Sequence, residues 1–186
     1  MRWPSRVLPL LIAGFSVTAL AQGPTYKFGR APTDNEIRAW DIAISPDGKE
    51  LPPGSGTAKQ GASIYISRGC VECHGPTGSE GPGPRLVNED RMIEMAGGSI
   101  NTWPFAPSIW DYINRAMPYD RPLSLSGNEV YALTAYLLHL NGITGEDDVM
   151  DATTLPRVQM PRRSDFTPPP PEWKPGTPRP CMSHCK

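Results

Sequence analysis

A five-residue motif in the first half of the chain, Cys-Val-Glu-Cys-His at positions 70–74, constrains its fold and chemistry more than any other feature. Two thiols three residues apart at a helix end can reach the two vinyl groups along one edge of a heme, and the next residue then lies beneath the iron. The motif therefore predicts one heme c that is held covalently by Cys70 and Cys73, with His74 as an iron ligand.

Two other kinds of site use closely spaced cysteines. Redox dithiols share the Cys-x-x-Cys spacing, but they normally occur in a thioredoxin-like βαβ pattern, which this sequence lacks. A structural zinc site would need two further ligands at suitable spacing. The histidine directly after the second cysteine favours heme over both alternatives.

An iron that only carries electrons requires a sixth ligand, and methionine is the usual choice at high reduction potential. Among seven methionines, Met117 ends a predicted helix and precedes Pro118, so we expect it to project from the loop before the last helix. The predicted metal ligands are therefore His74 and Met117. Met160 is the second candidate, His139 could complete a bis-histidine pair, and a place in the core is the ordinary role of a methionine.

The N-terminus has the features of a secretory signal peptide over residues 1–21. Arg2 and Arg6 precede an apolar run over 7–20, and Ala19-Leu20-Ala21 fits the small-x-small cleavage rule. The run is short for a membrane span, which needs about 20 residues, although an uncleaved anchor is the alternative. We therefore predict export to the periplasm, without stable membrane insertion.

The mature chain would carry 16 basic and 19 acidic residues. This balance excludes the strongly basic surface that nucleic-acid binding requires, so no nucleic-acid partner is predicted.

Helical patterns predict an all-α domain over residues 57–142, with irregular segments on both sides. Residues 22–56 form a turn-rich N-terminal arm with one short helix at 33–40, begun by a Thr33–Glu36 capping box. Within the domain, apolar spacing predicts helices at 57–70, 108–117 and 126–140. Ser108 is the predicted cap of the second of these helices, and Ser126 with Glu129 is the predicted capping box of the third. Residues 143–186 form a proline-rich extended tail, with four consecutive prolines at 168–171.

The last six residues contain Cys181 and Cys185. In an oxidising compartment two nearby cysteines most readily form a disulfide, which we predict here. A second heme would need a histidine after Cys185, where Lys186 stands, and a metal site in this Cys/His tract is the remaining alternative.

The motif, followed by Pro84-Arg85-Leu86, then Met117 and a C-terminal helix, resembles the class I cytochromes c over about 57–142. The resemblance implies the class I fold, in which a Gly-Pro-x-Leu segment returns over the proximal side of the heme. It also implies that the Pro84 carbonyl accepts a hydrogen bond from the His74 ring, and that the first and last helices cross at Gly61 and Tyr136.

The resemblance extends to the SoxD-like cytochrome subunits of sulfite and sulfane dehydrogenases, and it is carried by residues 38–54, 103–105, 112–118, 129–142 and 154–162. It implies a separate molybdenum-containing dehydrogenase subunit that delivers electrons one at a time, and a downstream cytochrome or oxidase as acceptor. Trp103 and Arg115 are then expected at the heme edge, with Arg115 beside a propionate. Their ordinary alternatives are a core position for Trp103 and a solvated helix face for Arg115.

Three functions compete at this stage. The first is the electron-accepting subunit of a molybdenum-dependent sulfite or sulfane dehydrogenase, in which the chain is not itself the catalyst. The second is a free diffusible electron carrier, for which long arms are unnecessary. The third is a thiosulfate-oxidising cytochrome, which would need an open iron site or a cysteine ligand.

Overall fold

In the computed structural model, residues 28–87 and 99–166 are described. The predicted signal peptide, the proline-rich stretch and the predicted Cys181–Cys185 disulfide lie outside these ranges. The chain divides into two units, residues 1–40 and 41–186. In the first unit, α1 (Asp34–Trp40) begins with the predicted capping box, in which Thr33 N donates to Glu36 Oε2 over 2.8 Å and Glu36 N donates to Thr33 Oγ1 over 3.3 Å.

Helices dominate the described part of the second unit. They are α2 (Ala58–Ser67), α3 (Cys70–His74), α4 (Ala106–Ala116) and α5 (Gly127–Leu140), with short 3₁₀ turns at Ile100–Thr102, Leu155–Arg157 and Arg163–Asp165. Two two-residue strands, β1 (Ser55–Gly56) and β2 (Met150–Asp151), pair antiparallel. The predicted all-α class is confirmed. No helix in residues 28–87 or 99–166 has the length and apolar character needed to cross a bilayer.

Helices α2 and α5 cross at a close contact between small and aromatic residues. A Cβ at Gly61 would lie 2.6 Å from the Tyr136 Cβ and would also collide with the Ala132 carbonyl, so only glycine fits. One turn along α2, the Tyr65 ring packs against that of Tyr136 with centroids 5.3 Å apart. The predicted contact of Gly61 with Tyr136 is confirmed.

The N-cap of helix α4 lies three residues earlier than the sequence pattern predicts. Phe105 is its N-cap and makes no side-chain capping bond, and Pro107 lies in the first turn, where proline is tolerated because its missing N–H has no helical partner. The predicted cap at Ser108 is wrong for that reason. The inner face of the helix is buried and includes Ile109, Trp110 and Ile113.

The core includes residues from both sides of 57–142. Leu51 precedes that range, and Met150, Leu155 and Met160 follow it, each at most 8% exposed. The backbone N–H of Ile44 donates to the Asp111 carboxylate over 3.0 Å, which ties the segment before β1 to α4. Residues up to at least 160 therefore contribute to the same core as the helices.

Candidate heme site

The Cys-x-x-Cys-His motif forms a helix of its own, α3, bounded by two glycines. Gly69 (φ +79°) precedes it and Gly75 (φ +80°) follows it, both in a region that non-glycine residues rarely adopt. The Cys70 thiol is half-buried against the core, whereas Cys73 is exposed, and both are free. Burial raises the pKa of the Cys70 thiol, and the neighbouring Cys73 raises it further.

The ring of His74 is oriented by the loop that follows α3. Its Nδ1 lies 2.8 Å from the Pro84 carbonyl oxygen. A carbonyl only accepts hydrogen bonds, so Nδ1 carries the proton and Nε2 is left with a lone pair for a metal. The predicted approach of the Pro84 carbonyl to this ring is confirmed.

The loop that presents Pro84 is closed back onto α3 by backbone hydrogen bonds. Gly83 N donates to the Cys73 carbonyl over 2.6 Å, and Leu86 N donates to the Gly78 carbonyl over 2.7 Å. A Cβ at Gly81 would lie 2.5 Å from the Cys73 carbonyl carbon, which explains the glycine at this position. The glycine-rich sequence therefore builds a compact loop that follows the heme-attachment motif.

Leu86 connects this loop to the rest of the domain. Its carbonyl accepts from Ile100 N over 3.1 Å and from the Asn141 side-chain amide over 3.1 Å. Sequence reasoning did not single out Asn141, which directly follows α5. Its position directly after a predicted helix gave no indication of a contact 55 residues away in the chain.

Met117 is the C-cap of α4, and its backbone N–H donates to the Ile113 carbonyl over 3.0 Å. Its side chain packs against the core but remains partly exposed. By contrast, Met160 is 4% exposed inside the core. His139 Nδ1 lies 3.2 Å from the Thr144 carbonyl oxygen just beyond its own helix. Met117 therefore lies at a helix end and keeps part of its surface free, whereas Met160 does not.

Trp103 and Arg115 have protein partners of their own. The Trp103 ring is partly buried and meets Tyr112 edge-on, with centroids 5.6 Å apart. The guanidinium of Arg115 pairs with Asp111 one turn earlier on α4, and its side chain is 48% exposed. The expected pairing of Arg115 with a propionate would therefore compete with Asp111.

The donor set and its surroundings fit a heme. A c-type heme needs two thiols that bond its vinyl groups, and an imidazole with a free Nε2 and a methionine thioether can ligate its iron. Cys70, Leu86, Trp103 and Met117 all border one apolar core while keeping part of their surface uncovered. A large planar apolar group would cover such surface and gain hydrophobic stabilisation.

Comparisons with known proteins agree with this chemistry. Residues 56–137 match the family described as cytochrome c oxidase, cbb3-type, subunit III. A search among curated proteins found no match.

Among solved structures, the chain is similar to one in the crystal structure of the sulfane dehydrogenase SoxCD from Paracoccus pantotrophus. The two are 32% identical, the match covers 87% of this chain and 83% of that one, and the TM-score is 0.66. The chain therefore belongs to the class I c-type cytochromes, electron-transfer proteins that bind heme c covalently, and it resembles the SoxD-like cytochrome subunits of sulfite and sulfane dehydrogenases.

Proposed function

We propose that this protein transfers single electrons in the periplasm as the monoheme, electron-accepting subunit of a molybdenum-dependent sulfite or sulfane dehydrogenase. In this role it takes electrons from a molybdenum subunit and passes them to a downstream cytochrome or oxidase. Residues 1–21 would act as the signal peptide that directs export.

The observation that carries the proposal is the extent of the similarity to the SoxCD chain. The cytochrome family match ends at residue 137, whereas the SoxCD match covers 87% of the chain at 32% identity. It therefore includes residues that heme attachment alone does not require. A small diffusible carrier would need only the heme domain, so the shared additional residues favour a shared partner.

When bound, heme c supplies the one-electron redox couple of its iron. In the proposed site, Cys70 and Cys73 anchor the group and His74 offers Nε2 as the proximal ligand. The hydrogen bond from His74 Nδ1 to Pro84 keeps the ring in one tautomer and makes Nε2 more basic. Met117 is proposed as the sixth ligand, which favours a high reduction potential.

The partner is tested by purifying the native heme protein from the bacterium that produces it, under non-denaturing conditions. Heme iron and molybdenum are then quantified across a size-exclusion column. We expect the two metals to elute together in constant ratio. We also expect sulfite or thiosulfate to reduce the heme in that fraction, seen as growth of the reduced α band.

Either of two results would overturn the proposal. Heme protein that elutes without molybdenum, and that neither substrate reduces, would be a free carrier. An isolated chain with full sulfite or thiosulfate activity would itself be the enzyme. Mass spectrometry of the mature protein tests export separately, because cleavage after Ala21 leaves Gln22 as the first residue.

A further inference from the structure

Gly75, the residue after the proposed iron ligand His74, is held from one side by a buried tyrosine. Tyr65 of α2 is 2% exposed, and its hydroxyl donates to the Gly75 carbonyl over 2.9 Å. Because the Tyr65 ring also packs on Tyr136, this bond connects the end of α3 to the crossing of α2 and α5. The backbone beyond His74 is therefore anchored to the packed crossing of α2 and α5.

The side chain of Glu80 lies on the other side of Gly75. It accepts hydrogen bonds from Thr77 N at 3.1 Å, from Ser79 N at 3.2 Å and from the Thr77 hydroxyl. A Cβ at Gly75 would lie 2.8 Å from Glu80 N and 2.9 Å from the Glu80 Cβ, so the residue is folded tightly against Gly75. The hydrogen bond from the Thr77 hydroxyl is the main cause that lowers the pKa of Glu80.

These contacts act on the loop that presents Pro84. Glu80 shapes the first half of the loop, residues 75–80. The second half is held by Leu86 N and Val87 N, which both donate to the Gly78 carbonyl in the first half. Pro84 lies between those anchor points, and its carbonyl reaches the His74 ring. A change in the first half of the loop therefore displaces the acceptor of the His74 bond.

We propose that Glu80 is a positioning residue, which with Tyr65 clamps Gly75 and so sets the strength of the hydrogen bond between His74 and Pro84. The inference rests on the proposed role of His74 as proximal ligand. A stronger bond makes the imidazole more basic and favours the ferric state. Glu80 then helps to determine the reduction potential, although its hydrogen bonds go to Thr77 and Ser79 rather than to the iron ligand or the thiols.

The test compares Glu80→Gln with Glu72→Gln in the matured full-length protein. Both variants remove one exposed carboxylate from the same region, but only Glu80 bonds to the loop backbone. We measure hydrogen exchange of the His74 Nδ1 proton by NMR and the midpoint potential by redox titration. The His74 Nδ1 proton should exchange about tenfold faster in Glu80→Gln than in wild type. The midpoint potential of Glu80→Gln should be higher than that of Glu72→Gln.

Equal exchange rates and equal potentials in the two variants would refute the inference. If Glu80→Gln fails to mature, Thr77→Val removes one donor to the carboxylate and keeps the charge, and it should shift both quantities in the same direction by less. An unchanged Thr77→Val protein would also count against the inference. Heme content and molybdenum co-elution are recorded separately for the wild-type protein. Failure of the proposed function can therefore be distinguished from failure of the inference about Glu80.

Discussion

Gly61 of α2 lies directly against the backbone of α5 at Ala132, with no room for a side chain between the two helices. We expect Gly61→Ala to force the helices apart. Overpacking of this kind costs about 1–3 kcal/mol, measured as a loss in the free energy of unfolding by urea. Gly127→Ala is the matched control, because a Cβ there meets only an ordinary contact of 3.6 Å with the Pro53 carbonyl oxygen. Equal stability of the two variants would contradict the crossing contact.

Replacing the thiols tests the attachment site. Cys70→Ser should leave one thioether bond, and Cys70→Ser combined with Cys73→Ser should leave none, so that acidified acetone extracts the heme from the double variant only. The pyridine hemochrome spectrum counts the remaining bonds. Wild-type protein that is colourless after export, or that releases its heme on extraction, would refute the assignment.

Met117→Ala should abolish the weak far-red band of ferric heme with methionine ligation and should lower the reduction potential, because a methionine ligand raises it. The matched variant is Met160→Leu, which nearly conserves volume at a position 4% exposed and costs less than about 1.5 kcal/mol. We expect the band to persist in that protein. A band that survives in Met117→Ala but vanishes in Met160→Leu would reverse the assignment.

The Arg68–Glu129 pair makes stability depend on pH. Partial burial favours a higher pKa of Glu129, but hydrogen bonds from Ser126 and Arg68 outweigh it and lower the pKa. A lowered carboxyl pKa stabilises the fold above the ordinary value, and this stabilisation is lost as the pH falls through the lowered pKa.

Glu129→Gln should therefore cost about 1 kcal/mol near pH 7. This cost should shrink as the pH falls through the lowered pKa of Glu129. Urea unfolding at neutral pH and over a series of acidic pH values measures the cost, with the exposed Glu146→Gln as control. A cost of Glu129→Gln in the free energy of unfolding that increased as the pH falls would contradict this prediction.

Local signals in the sequence were sufficient for much of the fold. Ser126 and Glu129 form the predicted capping box of α5, because such a box needs only residues three apart. The Cys-x-x-Cys-His motif likewise specifies its own chemistry within five residues. At α4 the local signal misled, since Ser108 is a good capping residue by type but Pro107 already fits the first turn.

Only the tertiary structure decided the contacts between distant segments. Sequence analysis assigned 143–186 to an extended tail, yet Met150 in this segment pairs with Gly56, and Leu155 is fully buried. Arg115 is paired with Asp111, where the sequence left a solvated face or a propionate open. The buried Tyr65 hydroxyl reaches the carbonyl after His74 from α2, ten residues earlier in the chain. The chemistry of the site can be predicted from five consecutive residues. The position of the site in the fold depends on packing between distant segments, which no short sequence pattern specifies.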